Sequence, residues 1–222
     1  MAKTFTEEDL PALAAQLRKP EGDMGLEVAR MMNTGNGPMN LHTLAVVNPQ
    51  PEDAILEVGM GNGMFVKNIL NQHPSITYMG CDYSELMVQE ACGHNSDFIE
   101  AGRAGFICGT IASLPFEDAS FTKVFTINTM YFWENPEAVL QELKRVLKAG
   151  ARLVIAIRPE NNMLKLPVSR YNFTLYNRQQ VEDMLHSAGY NDIEVTEIKE
   201  PRQERWGQSM ERETLILACT KP

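Results

Sequence analysis

A chain of 222 residues with 44% hydrophobic and 22% charged side chains lies near globular averages, which suits one folded core and sets intrinsic disorder aside. Its 20 basic and 29 acidic side chains leave a net charge of −9, a field that repels a phosphate backbone and argues against nucleic acid as a partner. No run approaches the roughly 18 apolar residues of a membrane span, and Met1 to Leu10 carry acids where a signal peptide needs a basic start, so a cytoplasmic protein away from the membrane is expected.

The first 50 residues read as three helices, over 7–17, 25–33 and 39–47, separated by Lys19-Pro20 and by the breaker Thr34-Gly35-Asn36-Gly37-Pro38. Their apolar faces need a surface to cover, so residues 1–50 are expected to cap a domain formed by residues 51–222. From Ala54 onward, short β-branched runs alternate with longer amphipathic segments. Strands are expected over 54–58, 77–82, 105–108, 123–128 and 152–157, and helices over 64–71, 85–101, 137–147 and 178–188. Gly150, after Lys144, Arg145 and Lys148, and Gly189 both read as glycines closing a helix. The last two strands, 192–198 and 214–219, have only a polar stretch between them, so they should run antiparallel. The expected architecture is α/β, a doubly wound, mostly parallel sheet with helices on both faces and an antiparallel C-terminal hairpin.

Cys81, Cys92, Cys108 and Cys219 show no C-x-x-C spacing and sit mostly within apolar runs, which predicts small buried hydrophobes and neither disulfides nor a metal site. The four histidines are scattered without ligand spacing.

The sharpest chemical signal is Glu57-Val58-Gly59-Met60-Gly61-Asn62-Gly63, placed directly after a strand and before a helix, where backbone can approach a ligand unobstructed by Cβ atoms. A dinucleotide fingerprint would need glycine where Met64 stands, and no G-K-[ST] follows for a triphosphate loop. Asp82 ends the second strand, 25 residues after Glu57, where a carboxylate can take both hydroxyls of a ribose. Glycines without a phosphate pattern, together with a ribose acceptor, point to a nucleoside-type cofactor.

This E-x-G-x-G-x-G turn, the acid closing the next strand, the run Gly109-Thr110-Ile111-Ala112-Ser113-Leu114-Pro115-Phe116 and the later Glu142-Leu143-Lys144-Arg145-Val146-Leu147-Lys148-Ala149-Gly150 resemble the class I S-adenosylmethionine-dependent methyltransferases, in particular their small-molecule branch. The resemblance implies a Rossmann-like, seven-stranded sheet and S-adenosylmethionine as cofactor. It implies Glu57, Gly59 and Gly61 around the methionine part, Asp82 on the ribose, Tyr83 and Met87 beside the adenine, Thr110 and Ile111 closing the adenine side, and Asn128 at the methionine end. Thr110 stands where the family often has aspartate, and Ala149 where it has proline.

Such a reaction is an in-line displacement that asks for alignment and exclusion of water more than for a dedicated catalytic residue, so none is assigned. The acceptor, expected to be a small molecule, should meet Tyr131 and Trp133 just after the fourth strand, and Arg170, Tyr171 and Trp206 in the later connections. Two other readings stay open at this point: a module that binds the cofactor without transferring methyl, and a dinucleotide-dependent oxidoreductase.

Overall fold

The structure, a computed structural model, describes residues 6–205 and 208–222. Seven strands form one sheet in the order β3-β2-β1-β4-β5-β7-β6. They are β1 (Ala54–Val58), β2 (Thr77–Asp82), β3 (Ala104–Cys108), β4 (Phe121–Ile127), β5 (Leu147–Ile157), β6 (Asn191–Arg205) and β7 (Gln208–Thr220). β1 through β5 pair in parallel, while β7 is antiparallel to both β5 and β6. The sheet is thus the expected mostly parallel one, ended by an antiparallel hairpin.

Among the described residues the helices are α1 (Leu10–Arg18), α2 (Gly22–Val47), α3 (Val66–Leu70), α4 (Glu85–His94), α5 (Ser96–Glu100), α6 (Pro136–Val146), α7 (Glu160–Met163) and α8 (Arg178–Ser187). Strands covered on both faces must be apolar on both, and β5 shows how the alternation is divided. Leu153, Ile155 and Ile157 join the core of α6 and α8, including Leu143 and Val181. Val154 and Ala156 join the other core, with Met39, Leu44 and Val47 of α2 and Ile69 of α3.

Five expectations need correction. The breaker at 34–38 does not break: α2 runs through Pro38 as one helix of 26 residues. Proline there removes one helical hydrogen bond, but Arg212 of β7 donates to the Gly35 carbonyl and to Asn36 Oδ1, and Met39 beside it is fully buried. Tertiary contacts outweigh the local propensity. The helix expected over 85–101 is interrupted instead at Asn95 (φ −128°), whose buried side chain donates to the Ala91 and Gly63 carbonyls at 2.9 and 3.1 Å.

Gly150 does not close a helix. α6 ends at Val146, Leu147 already pairs with Phe121 of β4, and the Gly150 amide donates to the Lys221 carbonyl at 2.9 Å. Gly189, by contrast, takes the left-handed conformation just past α8 (φ 76°). The polar stretch 199–213 largely continues the hairpin, with Lys199 opposite Glu213 and Glu200 opposite Arg212. Of the cysteines, Cys81 and Cys219 are buried and Cys92 half-buried, but Cys108 is exposed at the end of β3, an edge strand paired with β2 alone.

No helix among the described residues is long and apolar enough to cross a membrane.

Candidate active site

Ligands of open α/β sheets bind beyond the carboxyl ends of the strands. A cavity of about 580 Å³ lies there, lined by the turn after β1, the ends of β2 and β4, the segment after β3, and the faces of α1 and α2 that look onto them.

The turn after β1 is built by three left-handed glycines, Gly59, Gly61 and Gly63, with φ of 77°, 57° and 66°. Each serves a different contact. A Cβ on Gly59 would stand 2.2 Å from Thr129 Cγ2 and one on Gly63 would stand 2.9 Å from Ala91 Cβ, so these two let protein pack on protein. A Cβ on Gly61 would meet nothing within 4 Å, because that position faces the cavity. The turn is fastened to β2 by the Gly59 amide donating to the Cys81 carbonyl at 2.7 Å and the Gly61 amide donating to Asp82 Oδ2 at 2.9 Å.

Asp82 is 9% exposed, and its other oxygen accepts from the Ser84 amide at 2.9 Å. Burial raises its pKa, opposed by the backbone donors of Ser84, Gly61 and Tyr83. Two carboxylate oxygens held by fixed amides keep their remaining lone pairs aimed in one direction, as recognition of a diol requires. Glu57 accepts from the Tyr78 hydroxyl at 2.6 Å. Burial pushes its carboxyl up to about 7, the Tyr78 hydrogen bond pulling it down and the nearby Asp82 pushing it further up. The Cys81 thiol, also on the cavity wall, is driven by burial to about 12 and offers no nucleophile near neutrality.

Ser84 caps α4 by accepting from the Met87 amide at 3.2 Å and donates to the Pro20 carbonyl at 2.5 Å, which ties the N-terminal segment to the end of β2. Lys19 lies over the Tyr83 ring at 5.1 Å. At the other side of the mouth Arg18 pairs with Glu134 at 2.9 Å.

Glu57, Gly59, Gly61, Asp82, Tyr83, Met87, Thr110, Ile111 and Asn128 all line this one cavity. Asn128 turns the chain away after β4 through a left-handed conformation (φ 58°). Trp133 also lines it, its indole donating to Thr129 Oγ1 at 3.2 Å. Tyr131 does not. It is 3% exposed, and its hydroxyl is held in the core by the Arg158 amide at 2.5 Å, the Arg158 carbonyl at 3.2 Å and Asn128 Oδ1 at 3.1 Å. Arg170 is exposed on a one-turn helix, Pro167–Arg170, and Tyr171 packs against the cluster of Leu13, Val28 and Val168. Neither lines the cavity. Trp206 lies outside the described residues.

The sequence places the segments 31–40 and 129–133 at this edge but does not single out Thr129 or Phe132, nor Asn33, Asn36 and Asn40 of α2, which line the cavity from the helix side. Their spacing of three and four was visible, but treating 34–38 as a break split the stripe. No group of three or more potential metal ligands occurs among the described residues.

The family model for a methyltransferase domain matches residues 56–155, the interval that contains the glycine turn, Asp82 and Asn128. The uncharacterized protein MJ1123 of Methanocaldococcus jannaschii is 30% identical over 156 residues, 66% of this chain and 69% of its own length. The chain belongs to the class I S-adenosylmethionine-dependent methyltransferases. Among the methyltransferases it matches, the O-methyltransferase resE of Aspergillus sclerotiorum is 26% identical over 66% of this chain, which spans 58% of that protein's length. The fold is shared over 99% of the chain with a protein of the complex between the Haloferax volcanii Trm112 methyltransferase activator and a methyltransferase (TM-score 0.73, 18% identity).

Proposed function

We propose that this methyltransferase transfers the methyl group of S-adenosylmethionine to a small-molecule acceptor by in-line displacement. The observation that carries the reading is the coupling of Gly61 to Asp82: a glycine whose missing Cβ leaves open cavity, hydrogen-bonded to a buried carboxylate whose oxygens are pre-aimed. That cradle suits a nucleoside cofactor and has no phosphate-binding pattern.

Bound there, S-adenosylmethionine would supply an electrophilic methyl on a sulfonium. Asp82 would hold the ribose hydroxyls, and Tyr83, Met87, Thr110 and Ile111 the adenine. Glu57, Gly59, Gly61 and Asn128 would surround the methionine part, where Glu57, once ionised, would offset positive charge. Residues 1–50 would act as the cap and residues 51–222 as the cofactor-binding domain, with α1 and α2 keeping water from the reacting atoms. Trp133 supplies apolar area on the acceptor side, and no side chain is assigned as general base.

The test is calorimetric titration with S-adenosylmethionine, S-adenosylhomocysteine and NAD, followed by a radiolabelled methyl-transfer screen of small molecules. Binding of the first two with turnover on a screened compound is the expected result. Binding without any turnover would favour a cofactor-binding module, and binding of NAD alone would overturn the reading.

A further inference from the structure

α2 presents a polar stripe to the cavity, and the hydrogen-bonding sense of two of its amides is settled by their neighbours. Asn36 and Asn40 are one helical turn apart, so their Cβ atoms lie about 6 Å from each other on the same face. Asn36 Oδ1 accepts from Arg212 Nη2 at 3.1 Å. A guanidinium has donors only, so the amide atom that meets it must be oxygen, and the Asn36 NH2 is left for the cavity. Asn40 Nδ2 donates to the Asn36 backbone carbonyl at 2.9 Å. A carbonyl only accepts, so the atom that meets it is Nδ2; one of its two N–H groups is used there, and Oδ1 is left as the acceptor of that amide. The wall therefore offers one donor and, a turn away, one acceptor.

The fixed charge beside them is Arg212, which does not line the cavity and stands opposite Glu200 in the β6–β7 pair. The charged side chains lining the cavity are Glu57 and Asp82, placed on the cofactor, and Arg18 and Glu134, which neutralise each other at 2.9 Å. An acceptor molecule carrying net charge would lose hydration there without direct contact to a counter-charge on the cavity wall. Phe132 and Trp133 add flat apolar area to the same cavity.

We infer that Asn36 and Asn40 select a neutral, flat acceptor that carries a hydrogen-bond acceptor and a donor on neighbouring atoms, the pattern of a hydroxyl beside a carbonyl on an aromatic ring. The inference rests on the methyltransferase reading above and specifies its substrate class. Asn36 receives the carbonyl of such a molecule and Asn40 its hydroxyl.

The experiment uses the full chain saturated with S-adenosylhomocysteine and measures Kd by ligand-observed NMR for ortho-hydroxyacetophenone and its charged analogues salicylate and ortho-hydroxybenzylamine. The neutral ketone binds at least about tenfold tighter than either ion. Asn40→Leu, at a position whose side chain is bonded only within its own helix, weakens the ketone roughly three- to tenfold and leaves the affinity for S-adenosylhomocysteine as it was. Asn36→Asp keeps an oxygen on Arg212, removes the N–H donor and produces a loss of similar size. A charged analogue binding best, ketone binding unchanged in both variants, or no ketone binding at millimolar concentration would each overturn the inference. Absence of S-adenosylhomocysteine binding to the unaltered chain would remove the methyltransferase reading, and the inference with it.

Discussion

The backbone amide of Gly61 donates to Asp82 Oδ2 at 2.9 Å, so the turn after β1 and the last residue of β2 are one mechanical unit. The same carboxylate that is offered to a ribose also holds the glycine turn in shape, and damage to either partner reaches the other.

Replacing Asp82 with alanine removes charge-assisted hydrogen bonds worth about 1.5–3 kcal/mol each. The affinity for S-adenosylhomocysteine should fall on the order of 10- to 100-fold in calorimetric titration. An affinity equal to that of the unaltered chain would take Asp82 out of the site.

The glycines of the turn should respond differently. Alanine at Gly59 meets Thr129 Cγ2 at 2.2 Å in a left-handed conformation, so Gly59→Ala should lower the unfolding free energy by about 1–3 kcal/mol. Valine at Gly61 meets no atom, but it is strained in that left-handed conformation and projects toward the ligand, so Gly61→Val should abolish cofactor binding and lower the unfolding free energy by about 1–3 kcal/mol while the chain still folds. Circular dichroism melts run beside titrations separate the two effects.

Glu57 gives a pH dependence whose direction is fixed by its pKa. Burial pushes the folded value from an ordinary 4.5 to about 7, so between those pH values the folded chain keeps a proton that the unfolded chain releases. Stability should therefore decline as pH rises through that window, by about 3 kcal/mol from this group. Glu57→Gln should flatten the decline and melt higher than the unaltered chain at pH above about 7. The same ionisation should make S-adenosylmethionine, with its extra positive charge, gain on S-adenosylhomocysteine as pH rises; a ratio of affinities independent of pH would rule this out.

Arg158 and Glu200 form a bidentate pair at 2.7 and 3.1 Å with side-chain exposures of 4% and 0%, and Thr214 adds a hydrogen bond at 2.5 Å. Glu200→Ala would leave a buried guanidinium whose Nε already lacks a partner, at a cost of about 3–5 kcal/mol in chemical denaturation. Replacing both, as Arg158→Met with Glu200→Leu, should recover most of that loss.

The central strands were legible because they bury both faces, which leaves an uninterrupted apolar run such as Leu153 to Ile157. The glycine turn and Asp82 were legible because their chemistry is local to a strand end. What stayed hidden depends on partners far away in the chain. Pro38 and its neighbours read as a break until Arg212, 174 residues later, is found bonded to that turn of α2. The arm 199–213 read as a loop because a hairpin with exposed faces carries polar side chains, here Arg202 paired with Glu211 at 2.8 Å across the strands. Tyr131 has the composition of a pocket residue, but the Arg158 backbone supplies its hydroxyl with partners inside the core.

Strand order also constrains how the molecule is made. β7 is inserted between β5 and β6, so residues 208–220 complete hydrogen bonding for two strands that precede them in the chain. During synthesis β5 must wait with an open edge while helices α7 and α8 and all of β6 emerge, a long-range closure of the slow kind. The interval is when an unpaired strand can recruit a neighbouring nascent chain.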